Sequence, residues 1–361
     1  RLALLLIQEG RDAEAERLLQ RGAWRYRLAS WILRYDEEPA AAFDDACGSL
    51  CLKALADGRA SLGAAGRLPV YVLEDALPEP MLHHLSEVFA PGAVFWREHG
   101  YSEVTGCGES GYFSYLSSLD ALGPHSSLDI VISHLWRLAG HFYPEVREAQ
   151  HAEWWAHCRP HACGHQLHFD SDDAGLGSAE HPICTAVVFT HAPEGVGGPT
   201  LVTNHRSGDD RLASRAWLVH PRAGRVAICD GTALHGVVPG RGEGPGAGSR
   251  RVTWMLAFWR ARMRAVPFPA TGEPGPCRPL PNPSGPAEFG LRVFTWQHRL
   301  QLPEKEMLVD ECSVVASRAR ALSSAGRGDV WVPLRSETQR GLPEYRDCLQ
   351  LGYDYRRRGW T

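Results

Sequence analysis

A chain of 361 residues with 44% hydrophobic content can bury a sizeable core, and a formal net charge of -4 supplies no general positive field. A disordered chain is excluded on these grounds, and nucleic acid is a disfavoured partner. No apolar run is long enough to span a membrane. The cysteines, Cys47 and Cys51 and then singles such as Cys107, Cys184, Cys229 and Cys312, include no CxxC pair, so the expectation is a reduced, intracellular, cytoplasmic setting, with nucleus or organelle left open. The chain opens on Arg1, which leaves a removed targeting segment open as well.

Leu2, Leu5 and Leu6, then Ala13, Ala15, Leu18 and Leu19 beyond Gly10-Arg11, recur at helical spacing. Residues 1–65 therefore read as a helical region that caps the main domain and offers a surface to a protein partner. Its turn is similar to that of one tetratricopeptide helix pair, a unit that needs stacked neighbours to close a core. Near Arg67 the texture changes to a short strand, Val70 onward, and a helix from about Pro80 to Phe89. Gly111 to Leu116 reads as a strand, and Leu128 to Phe142 as an amphipathic helix. Short strand-like runs separated by Gly and Pro then follow: Glu153–His157, Gln166–Asp170, Cys184–Thr190, Thr200–Thr203, Ala216–Val219, Arg225–Asp230 and Arg251–Arg260. Helices first and strands second indicate α+β, with an antiparallel sandwich or barrel. Residues 66–265 form this domain. Eight prolines between Val266 and Pro286 make an extended connector, and residues 266–361 a C-terminal extension whose Trp296, Leu300, Leu302, Trp331 and Trp360 are placed to pack back on the barrel.

Chemistry concentrates at His168-Phe-Asp170. On a strand, residues two apart share a face, so an imidazole and a carboxylate are presented together. His235, in Asp230-Gly-Thr-Ala-Leu-His, is the candidate third ligand. Two histidines and one carboxylate suit Fe(II) with positions open for an organic acid and O2, and the same atoms suit a zinc hydrolase. A helical spacing would instead gather His161, His165 and His168, but Pro160 and Gly164 interrupt such a helix. Arg251, sixteen positions after His235, shares a strand face with Thr253; a guanidinium and a hydroxyl together can hold the far carboxylate of a dicarboxylic acid whose other end chelates the metal. Asp172 and Asp173 follow the ligand run and read either as a mouth for a cationic substrate or as a solvated turn. Trp154, Trp155, Trp254 and Trp259 read as core or rim packing, and Cys158 and Cys163 as small buried residues.

Taken together, His168-Phe-Asp170, Gly197-Gly-Pro-Thr200, His220-Pro-Arg-Ala-Gly224 running to Asp230, His235-Gly-Val-Val-Pro239 and Arg251-Val-Thr253 resemble the Fe(II)/2-oxoglutarate-dependent dioxygenases, and within them the prolyl-4-hydroxylase-like group, over roughly residues 150–262. The resemblance implies a double-stranded β-helix (jelly-roll, cupin-like) core. It implies oxidative decarboxylation of 2-oxoglutarate to succinate and CO2, coupled to hydroxylation of a C–H bond, with O2 consumed and ascorbate a possible reductant. It carries over His168, Asp170 and His235 as iron ligands, Arg251 and Thr253 as the anchor of 2-oxoglutarate, and His157 and Arg159, on the preceding strand, as further candidates for its pocket. Well-known prolyl hydroxylases carry lysine where Arg251 stands, so the substrate, peptidyl or small, need not be proline. The retained acid at Asp170 speaks against the halogenating variant. Alternatives of other classes are a non-catalytic scaffold on such a barrel and a zinc-dependent hydrolase.

Overall fold

The structure is a computed structural model that describes residues 1–22, 24–35, 68–98, 113–122, 126–172, 180–246, 248–261, 275–278 and 330–334. The readings placed on Cys47, Cys51, Cys107, Asp173, Trp296, Leu300, Leu302, Cys312, Trp360 and most of residues 266–361 lie outside these.

In chain order the elements are α1 (Leu2–Gln8), α2 (Asp12–Arg21), β1 (Tyr26–Leu28), α3 (Ser30–Arg34), β2 (Val70–Leu73), α4 (Glu79–Val88), α5 (Val94–Glu98), β3 (Phe113–Ser118), α6 (Ser127–Ala139), β4 (His151–Pro160), β5 (His165–His168), β6 (Cys184–His191), β7 (Thr200–Arg206), β8 (Ala216–Val219), β9 (Val226–Asp230), β10 (Ala233–Val237), β11 (Arg250–Trp259), β12 (Gly275–Arg278) and β13 (Trp331–Pro333). Seven strands form one sheet in the order β12-β3-β4-β11-β6-β9-β2, and four form a second in the order β5-β10-β7-β8. Within them, β4 to β11 make an eight-strand, two-sheet jelly roll: β4-β11-β6-β9 on one side and β5-β10-β7-β8 on the other, every neighbouring pair antiparallel. The segment 275–278, inside the proline-rich connector, sits at the sheet's edge, where a missing N–H costs no ladder bond.

Alternation along the strands sorts the side chains into layers. Trp154, Ala156 and Cys158 of β4, Ala186 and Val188 of β6, and Trp254, Leu256 and Phe258 of β11 face outward from the large sheet onto α4, α5 and α6. The spacing of Leu128, Val131, Ile132, Leu135 and Leu138 puts one apolar stripe of α6 on that face, while Ser126 caps its start by accepting from the Asp129 amide at 3.3 Å. Burying each large aromatic here contributes about 1.5–3 kcal/mol. Between the two sheets lie Val70, Val72, Phe189, Val202, Trp217, Ala227 and Ala233. The outer face of the small sheet, through Leu167, Leu201, Ala216 and Leu234, is covered by α1, α2 and α3 and by Trp331 of the β1-β13 ribbon. These helices are also tied to the chain leaving β10: Gln8 donates to Pro239 O at 3.1 Å, and Arg241 donates to Arg34 O at 2.8 Å and to Gln8 O at 3.2 Å. Among the described residues α1–α3 are a single unit, with no stacked repeat beside them. No helix among the described residues is long and apolar enough to cross a membrane.

Candidate metal centre and its anion pocket

His168 and His235 are direct cross-strand partners in β5 and β10, with ring centroids 4.3 Å apart. Each Nδ1 lies against a backbone carbonyl of its own strand, Gln166 O at 2.9 Å and Ala233 O at 3.0 Å. A carbonyl only accepts, so both rings carry their proton on Nδ1 and turn the lone pair of Nε2 inward. Burial first, and then the neighbouring His235, hold His168 well below its ordinary pKa; at neutral pH it is an uncharged donor.

Asp170 completes the group by a different route from the one its sequence position implies. β5 ends at His168, so Asp170 lies two residues beyond the strand, and shared strand parity is not what aims it. Two contacts hold it instead: Asp170 O lies 2.6 Å from His181 Nδ1, and Thr185 Oγ1, at the start of β6, donates to Asp170 Oδ2 at 2.9 Å. Oδ1 is left 3.7 Å from Nε2 of both histidines. One ligand atom from each of the three lies within 4.8 Å of the others, the only such cluster among the described residues. The side chains are 29%, 12% and 20% exposed for His168, Asp170 and His235, so the donors reach solvent from one side. Two imidazole nitrogens and one carboxylate oxygen fit a non-haem Fe(II) ion. Thr185→Val, equal in shape but without the hydroxyl, is expected to lower metal affinity by about 10–100-fold with the fold intact, as measured by competitive chelation.

The large sheet supplies the floor. The residues of β11 that face inward, Arg251, Thr253, Met255 and Ala257, stand directly opposite Arg159, His157, Trp155 and Glu153 of β4. On their other side Thr253, Met255 and Ala257 stand opposite Phe189, Val187 and Thr185 of β6. All four residues expected in the cosubstrate pocket, Arg251, Thr253, His157 and Arg159, thus occupy two adjacent cross-strand pairs on one interior face, and each is at most 7% exposed. Arg250 pairs with Pro160 and points to the opposite side.

Arg251 is buried at 3% exposure; its Nη1 donates to Gly198 O at 2.6 Å, and its guanidinium lies 5.9 Å from the Phe189 ring centroid. Among the described residues no carboxylate pairs with it. Desolvation, and next the nearby Arg159, lower its pKa to about 10, so it stays charged at neutral pH in a place that penalises the charge. Glycine at 198 lets this segment pack tightly on the chain leaving β10, since a β-carbon there would sit 2.2 Å from Val238 O. Arg159 donates to Gly164 O at 3.1 Å and lies 3.2 Å from His165 Nδ1. His157 and His165 are held well below their usual pKa, by burial first and then by Arg159, so neither adds a positive charge.

Other sequence readings fall elsewhere. His161 lies in the turn after β4, accepting from the Gly197 amide at 3.1 Å and meeting Arg241 O at 2.8 Å through its other nitrogen; it does not join His165 and His168 on a helix. Asp172 is 6% exposed and accepts from the Glu180 amide at 2.8 Å, a buried tie and not an acid at the mouth. Cys158 and Cys163 are buried and in no disulfide. Two inner-face residues carried no signal from sequence motifs, Thr185 and Glu153, while His165, weighed above as a ligand on a helix, sets its ring 4.4 Å from that of His168.

Glu153 is 3% exposed and accepts from Ser114 Oγ at 2.5 Å. Burial, opposed by that hydrogen bond and reinforced by Asp170, raises its pKa from 4.5 to about 7. Since the unfolded chain ionises this carboxyl from about pH 4.5 while the native state keeps its proton to about 7, the contribution of Glu153 to stability declines across that window, by on the order of 3 kcal/mol in all. The neutral His157, His165 and His168 contribute the opposite slope, so the decline is expected in the thermal stability of the metal-free natural protein relative to Glu153→Gln, measured across that window.

No model of a known protein family matches the chain, and no curated protein sequence does. Among solved structures it is similar to a Pseudomonas putida prolyl-4-hydroxylase, at 17% identity and TM-score 0.37 over 58% of this chain and 99% of that one. It is also similar to the non-heme alpha-ketoglutarate-dependent carbocyclase SnoK from nogalamycin biosynthesis, at 13% identity and TM-score 0.36 over 62% and 87%. A third is the epimerase SnoN in complex with Fe3+, alpha ketoglutarate and nogalamycin RO, at 13% identity and TM-score 0.34 over 54% and 79%. At such identities and TM-scores these likenesses carry no weight of their own, and the reading of the site rests on this chain's residues.

Proposed function

We propose that this protein is an Fe(II)- and 2-oxoglutarate-dependent oxygenase that hydroxylates a C–H bond of a peptidyl or small-molecule substrate, releasing succinate and CO2. The observation that carries this reading is the pairing of an open-sided His168-Asp170-His235 group with a buried, carboxylate-free Arg251 on the same interior face. A zinc hydrolase or a scaffold accounts for the first feature or for neither, and leaves a desolvated guanidinium without purpose.

His168 and His235 would hold Fe(II) through Nε2, and Asp170 through its carboxylate, with Thr185 fixing the carboxylate and the two backbone carbonyls fixing the ring tautomers. When bound, Fe(II) supplies the redox chemistry that turns 2-oxoglutarate and O2 into succinate, CO2 and an oxygen atom for the substrate. Arg251 and Thr253 bind the distal carboxylate of 2-oxoglutarate, and Arg159 lends positive potential from the facing strand. His157 and His165, kept neutral, line the channel between anchor and metal without competing for the carboxylate. The buried floor excludes water, which strengthens each of these contacts.

The test is succinate formation by the purified protein with Fe(II), O2, ascorbate and 2-oxoglutarate. Slow turnover without further substrate is expected, with acceleration by one of a set of peptide, amino-acid and nucleoside pools and a mass gain of one oxygen in the accelerating compound. Absence of succinate under all these conditions, with zinc recovered after anaerobic reconstitution, would overturn the assignment.

A further inference from the structure

The interior face of β4 and β11 does not end at the metal group. From Arg251 and Arg159 it runs past Thr253 and His157, then Met255 and Trp155, to Ala257 and Glu153, with Leu116 of β3 opposite Glu153. Thr185, which holds Asp170, stands opposite Ala257 on the other side. Glu153 is thus separated from the residue that positions a metal ligand by one alanine, a lateral distance of about 10 Å between Cα atoms for two strand spacings. The methyl of Ala257 leaves the line between them open.

A dicarboxylate reaching from the metal to Arg251 occupies the other direction along this face, so the stretch around Glu153 is what remains for the molecule to be oxidised. Its walls are Trp155, Trp259, Leu116 and Ala257, which form one apolar cluster, and Leu116 and Trp155 are partly exposed, so the stretch reaches solvent. Glu153 is the charged side chain set into those walls. The face is therefore polarised: Arg251 and Arg159 lie at one end, Asp170 and Glu153 at the other, and the basic side chain described beyond them is the weakly basic His151, opposite Trp259. A carboxyl set in apolar walls that reach solvent is a site for a cation, which it holds by a charge-assisted hydrogen bond strengthened by the low-dielectric surroundings.

We propose that Glu153 is a specificity-determining residue that binds a basic nitrogen of the substrate, an amine or guanidinium within one side-chain length of the carbon attacked. The identity of the reaction rests on the oxygenase reading; the cation subsite does not. The raised pKa of Glu153 is what an acid buried ahead of its partner shows, and an arriving cation favours its ionised form.

The test measures binding of n-butylguanidinium, n-butylammonium and neutral n-butylurea to the metal-free full chain by calorimetry, at about pH 8, above the carboxyl's range. The cations are expected to bind at least about 10-fold more tightly than the urea, and Glu153→Gln to bring the ratio close to one. No cation preference in the natural protein overturns the proposal, as does a preference that Glu153→Gln retains; should that variant fail to fold, Ala257→Leu, which fills the space beside Glu153, is expected to remove the preference, and a preference it retains overturns the proposal as well. Mn(II) and 2-oxoglutarate affinities measured on the same natural protein keep the two readings apart. Their absence would refute the oxygenase assignment and leave the cation preference standing, while their presence without a cation preference would do the reverse.

Discussion

His168→Ala is expected to abolish Fe(II) binding and 2-oxoglutarate turnover together. His168 supplies one of three ligand atoms and sits opposite the second, His235, in the β5-β10 ladder. Removing even an outer partner of a ligand costs about 10–100-fold in metal affinity, so loss of a ligand itself is expected to exceed 100-fold. The ring is 29% exposed and not part of the apolar clusters, so the fold should survive, with a melting temperature close to that of the metal-free natural protein. Retained succinate formation by a folded His168→Ala protein would remove the metal assignment and everything built on it.

Much of this site was legible in the sequence because the chemistry sits on strands whose period is two. Arg251 and Thr253 were expected to share a face, and they do, opposite Arg159 and His157. What sequence could not choose was register. Arg250 and Arg251 are adjacent and chemically identical, and a slip of one residue exchanges them; the ladder to β4 decides it by setting Arg251 against Arg159 and Arg250 against Pro160. Asp170 shows the reverse case, where the residue joins the two histidines by a geometry other than the expected one. The strand stops at His168, and a hydroxyl fifteen positions downstream aims the carboxylate. Thr185 gave no signal because threonine in a run of Ala and Val reads as an ordinary strand former. β10 was missing from the strand runs, although His235 was expected on a strand, since a five-residue segment just after Gly231-Thr232, with Gly236 as its fourth residue, carries little alternation. Glu153 became informative only when β3, β4, β11 and β6 were laid side by side, because its meaning depends on a residue of β6 two strands away.

The four expected pocket residues also divide by physical cost, and this separates a ligand anchor from a structural arginine. Arg251→Ala removes a buried cation that, among the described residues, meets a carbonyl and an aromatic ring but no carboxylate. If Arg251 served the fold, its loss would destabilise the protein. As an anchor it is a charge held at a cost until an anion arrives, so the expected stability change without 2-oxoglutarate is within about 1 kcal/mol, the lost Gly198 contact being offset by relief of desolvation. With 2-oxoglutarate the sign is clear: truncating one partner of a buried charge pair costs about 2–5 kcal/mol, a rise of roughly 30-fold to several thousand-fold in the Kd for 2-oxoglutarate. Arg251→Lys should fall between, since it restores the charge but not the two-pronged geometry. Thr253→Val should lose one neutral hydrogen bond, about 1 kcal/mol or 5-fold. A large loss of melting temperature in Arg251→Ala with unchanged affinity for 2-oxoglutarate would assign the arginine to the fold and return the anion pocket to Arg159.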